Sequence, residues 1–102
     1  MAEDDDAPLF HELEIPPDVR EKGGHEILRA SVVEGAVSVA LRRSFDDPVT
    51  WGVLLVDLAR HAARIYALEA GMSEEEALAQ IRAGIEAELD TPTDPGSTSA
   101  VN

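Results

Sequence analysis

The stretch from Asp46-Asp47-Pro48 to Ala70-Gly71 constrains this chain most, because it spells out both ends of one long helix. Asp46 or Asp47 is placed to cap the N-terminus. Pro48 suits the first helical position, where a missing N–H costs nothing, and Gly71 suits the left-handed residue that closes a helix. Stepping about 100° per residue puts Trp51, Leu54, Leu55, Leu58, Ala62, Ile65 and Tyr66 on one face, which is expected to be buried. Val56, Ala59, Ala63 and Ala67 form a second, small apolar flank. Only a narrow strip through Asp57, Arg60, His61 and Arg64 is plainly polar, so the helix is expected to be packed on two sides.

Upstream, two alternating runs, Ile27 to Val33 and Ala36 to Phe45, flank Glu34-Gly35, and this reads as a β-hairpin. Glycine supplies the positive φ that a two-residue hairpin loop needs. With those two residues as the loop, Val32 pairs with Val37, Ala30 with Val39 and Leu28 with Leu41, so one face is wholly apolar. Arg29 and Arg42 fall on the other, mixed face. A slip of one residue would scramble the two faces, so the register is well specified.

Downstream, Ser73 and Glu76 form a capping box for a second helix running to about Leu89, with Leu78, Ile81, Ile85 and Leu89 on one face. The linker is short, so the two helices should be antiparallel neighbours. Gly84 costs about 1 kcal/mol relative to Ala inside a helix, which would be offset by close approach to the first helix. Leu13 and Ile15 allow a third, short N-terminal strand that Pro16-Pro17 would stop. The expected fold class is α+β: an antiparallel hairpin, then a long helix and a second antiparallel helix. Residues 9–91 form the single domain. Residues 1–8, acidic and without periodicity, and residues 92–102, rich in Ser, Thr, Pro and Gly, are expected to be disordered tails.

The charge pattern bears on partners. The net charge is −13, with eight acids and one base in residues 1–21, seven acids and one base in residues 74–94, and six of each in residues 22–72. The central unit is neutral and the acidity lies in its flanks. Binding to nucleic acid or an anionic membrane needs clustered Lys and Arg, so both are disfavoured. The absence of Cys removes disulfides, thiolate metal sites and Cys nucleophiles. The acidic start is unlike a signal peptide, and the longest apolar run falls far short of the ~20 residues needed to span a bilayer. A cytoplasmic location is expected.

On the long helix, Asp57 and His61 stand at i, i+4, with Arg60 and Arg64 on the adjacent row. In a catalytic reading, Asp57 orients His61 as acid or base and Arg64 holds an anionic substrate. In the plainer reading they are an ordinary helix pair with exposed arginines, worth a few tenths of a kcal/mol. Arg60, Arg64, Trp51, Arg29 and Arg42 are the candidate binding residues, for a small anion or an acidic protein segment. Three scattered histidines make no metal signature, and no cofactor is implied. There is no glycine-rich phosphate loop and no nucleophile elbow, which favours a non-enzyme.

Glu26-Ile27-Leu28-Arg29-Ala30, Val39-Ala40-Leu41-Arg42, Asp47-Pro48 with Trp51-Gly52, and Leu55 through His61 together resemble a small bacterial family, the domain of unknown function numbered 5076. The resemblance covers about residues 13–90, and its most specific part is Trp51-Gly52 followed by Asp57 and Arg60-His61. It implies a bacterial source and brings no known activity, cofactor or substrate.

The residues themselves favour a small homodimeric interaction or regulatory module. The alternative is a small-molecule or metal-dependent enzyme built on Asp57, His61 and Arg64. Only the net charge speaks for a third reading, an acidic decoy for a nucleic-acid-binding protein. Self-association is expected because a lone hairpin has two open edges, and because the Val56 flank is left uncovered once the main face is packed.

Overall fold

The computed structural model describes residues 9–93 and 96–101. The elements run α1 (Pro17–Lys22), β1 (Leu28–Val33), β2 (Ala36–Arg42), α2 (Pro48–Glu69), α3 (Glu74–Asp90) and β3 (Ser97–Val101). The fold is α+β, as expected. The proposed disorder of residues 1–8 lies outside the described residues.

The hairpin register is the one its faces require. Leu28 opposes Leu41, Ala30 opposes Val39 and Val32 opposes Val37. Glu34 and Gly35 both have positive φ, 50° and 84°, the mirror-image turn whose twist matches that of the flanking strands. The third strand differs from the expectation. Residues 9–15 form no strand, and the segment instead lies with Glu12 against Arg29. The third strand is β3, from the stretch read as a C-terminal tail, and it pairs parallel to β2, with Ser38 opposite Ser97 and Arg42 opposite Val101. The sheet order is therefore β1-β2-β3, and it is mixed. Gly96, at φ 67°, begins this return. A Cβ there would run into the Val37 carbonyl, so the close approach requires glycine.

Both long helices start where the capping chemistry puts them. Asp47 accepts a hydrogen bond from the Val49 N–H at 3.0 Å with Pro48 at the first helical position. Ser73 accepts one from the Glu76 N–H at 3.0 Å. Gly71, at φ 68°, reverses the chain between them. Residues 70–73 leave no slack, so α3 folds straight back along α2.

The flank of α2 that α3 covers is the small one. Ala63 of α2 and Ala77 of α3 are the only buried residues among those described, at 0% and 2% exposure. Alanines let two helix axes approach closely, and the short connection brings α3 onto the nearest such surface. The face that the sequence marks for burial stays open: Leu55, Leu58, Ile65 and Tyr66 are all exposed. Gly84 does not mark a close approach, since a Cβ there would meet nothing within 4 Å.

Neither helix of this pair rests on the sheet. β1 packs with β2, β2 with β3 and α2 with α3, and among the described residues no other two elements come together. The apolar sheet face is consequently uncovered, with Val32 75% and Val37 46% exposed. Among the described residues, no helix is long and apolar enough to cross a membrane.

Candidate functional site

The polar strip of α2 is built by helical spacing alone. Asp57, Arg60, His61 and Arg64 all lie exposed along α2. The arginine engages the imidazole: Arg64 Nη1 lies 3.4 Å from His61 Nδ1. Arg64 also reaches Glu74 Oε1 through Nε at 3.8 Å, tying α2 to the first turn of α3. Asp57 makes no hydrogen bond or ion pair with any described residue. The carboxylate-oriented imidazole of the catalytic reading is therefore not assembled. At i, i+4 on an open helix flank, a carboxylate and an imidazole are left to water, and Arg64 is long enough to claim the ring instead.

Arg29 and Arg42 sit together at the end of the hairpin distant from its turn. Arg29 pairs with Glu12 at 3.2 Å and Glu26 at 3.1 Å, and its guanidinium lies 5.9 Å from the centre of the Phe10 ring. Arg42 donates from Nε to the Glu26 carbonyl at 3.4 Å. With Val101 of β3 these residues line an open cleft of about 310 Å³ that also takes in Leu28 and Leu41. Arg29 is paired with carboxylates of this chain itself, and Arg42 with a backbone carbonyl. Glu12 and Phe10 were not legible as partners, because no local pattern links residues that far from Arg29. Glu26, three residues before Arg29, could have been read from spacing.

Trp51 anchors the start of α2. Its Nε1 donates to the Arg43 carbonyl at 2.8 Å, and Phe45 packs edge-on against its ring at 5.6 Å between centroids. The ring is half-buried and held in this joint. Among the described residues, no group of three or more His, Asp or Glu side chains converges as a metal site would require.

The family model for a domain of unknown function, DUF5076, matches residues 12–93. A solved structure from the photosynthetic bacterium Rhodopseudomonas palustrus, named a "putative pyruvate dehydrogenase", is 46% identical and superposes with a TM-score of 0.69 over 95% of this chain and 99% of its own. No curated protein matches. The chain belongs to the DUF5076 family of domains of unknown function.

Proposed function

We infer that this protein is a homodimeric interaction module whose own core is completed by a second copy. The observation that carries this reading is the open face of α2, where Leu55, Leu58, Ile65 and Tyr66 are 40% to 54% exposed while the largest side chain buried anywhere among the described residues is alanine. Burying a large aliphatic or aromatic side chain contributes about 1.5–3 kcal/mol, and a chain that forgoes this at every large position has little to set against its conformational entropy. A second copy presents a matching apolar surface by symmetry. The segregated charge supports the same arrangement, since the neutral central units can meet with the acidic flanks outside.

The name carried by the R. palustrus structure is not adopted for this chain. The sequence has no glycine-rich phosphate loop, and the Asp57, His61 and Arg64 strip is exposed, with its carboxylate unengaged. In the dimer these side chains and Arg60 form the outer polar surface.

Leu58→Asp tests the reading. On a monomer, a substitution at so exposed a site changes stability by about 0.5 kcal/mol or less. In the dimer it places a charge inside an apolar contact, and the variant is expected to lose its cooperative thermal transition or to sediment as a single chain. A variant that melts and sediments like the parent would refute the dimer face assigned to α2.

A further inference from the structure

We propose that the two copies exchange layers: the wide apolar face of α2 in each chain covers the apolar sheet face of the other. This rests on the homodimer reading and goes further, because it names which surface meets which. Three observations point to it.

First, sheet and helical pair belong to one chain yet do not touch among the described residues, although β2 leads into α2 through residues 43–47 alone. Each layer has one apolar face that is largely exposed. A sheet with a single apolar face is ordinarily covered by helices.

Second, the connection from β2 to α2 is fixed in a shape that holds the helices away from their own sheet. Ser44 adopts φ 55° and donates from Oγ to the Arg42 carbonyl at 3.2 Å. The Trp51 indole is bonded to the Arg43 carbonyl and stacked edge-on by Phe45, and Asp47 caps the helix immediately after. Closing α2 onto the sheet of the same chain would break this joint. A fixed joint that separates two complementary layers is the geometry from which copies exchange elements.

Third, the faces match in extent and chemistry. From Leu54 to Tyr66 the helix face runs roughly 18 Å at ~1.5 Å per residue. The seven residues of β2 run roughly 20 Å. The sheet face carries Leu28, Ala30, Val32, Val37, Val39 and Leu41, and the helix face Leu54, Leu55, Leu58, Ala62, Ile65 and Tyr66, with no charge in either set. The area is also sufficient. The chain exposes 8964 Å², against about 5,600 Å² for a folded monomer of its mass. The excess, on the order of 3,000 Å² per chain with its termini included, is more than the roughly 1,000–2,500 Å² per chain that obligate homodimers bury.

The chain has no cysteine, so introduced thiols report the contact without background. Val39→Cys and Leu58→Cys are made in separate full-length chains of different tag length, mixed in denaturant, refolded together and treated with a short bis-maleimide. Exchange predicts a cross-linked product containing one chain of each kind, and a product of twice the chain mass from the double variant V39C/L58C. The pair Val37→Cys and Leu55→Cys repeats the test should the first fail to refold. Linking within a single chain of the double variant would show that the helices close on their own sheet, and would overturn the proposal. Linking of L58C only to another L58C chain would show helix against helix across the two-fold, and would overturn it equally. A dimer by sedimentation with no sheet-to-helix link in either pair defeats the exchange and leaves the homodimer standing, whereas a monomer defeats both.

Discussion

His61 and Asp57 show how little helical spacing settles by itself. Their separation suits a catalytic pair, yet on an open flank Arg64 takes the imidazole and Asp57 pairs with no described residue. Exposed pairs of this kind contribute about 0–1 kcal/mol. Asp57→Asn and His61→Ala are therefore each expected to cost no more than about 1 kcal/mol in urea denaturation at fixed protein concentration. Zinc is expected to produce no saturable heat in titration calorimetry with either the parent or the variants. Tight zinc binding by the parent, lost in both variants, would restore the enzyme reading. Arg29 is the contrasting case. Its partners Glu12 and Phe10 come from a segment with no readable periodicity, so the site it makes exists only once that segment has been placed beside β1.

The elements divide by where their information lies. Caps and turns are local chemistry, and Asp47, Ser73, Gly71 and the Glu34-Gly35 turn all stand where the sequence puts them. The hairpin register is also local, since an apolar face survives only one pairing. Two features were not legible. Ser97–Val101 is short and mostly polar, and it becomes a strand because the β2 edge is open and Gly96 permits the approach, not because of its own pattern. The flank of α2 that receives α3 was also misjudged. Reading by size assigns burial to Leu58 and Ile65, while the four-residue link and the close fit of alanines assign it to Ala63. Ala63→Leu is expected to cost about 1–3 kcal/mol by overpacking, seen as a lower denaturation midpoint. No loss would mean that α3 does not pack on this flank.

At the scale of the molecule, the chain is open, its sheet and helical pair lying apart. Its radius of gyration is 16.5 Å, against about 13 Å for a close-packed domain of 100 residues. The helical pair and the sheet each have an interior side and no interior. The fold class could be read from periodicity because each element carries its own pattern, but the separation of the layers could not, because periodicity says that a face is buried and not by which chain. Obligate dimers have no stable folded monomer, so their stability depends on concentration. Sedimentation equilibrium of the parent protein, at a few to tens of micromolar on the order that resolves association of this strength, tests the central claim most directly. The account predicts a single species of twice the chain mass throughout that range, with a denaturation midpoint that rises with protein concentration. A folded species of one chain mass, with a midpoint independent of concentration, would contradict it.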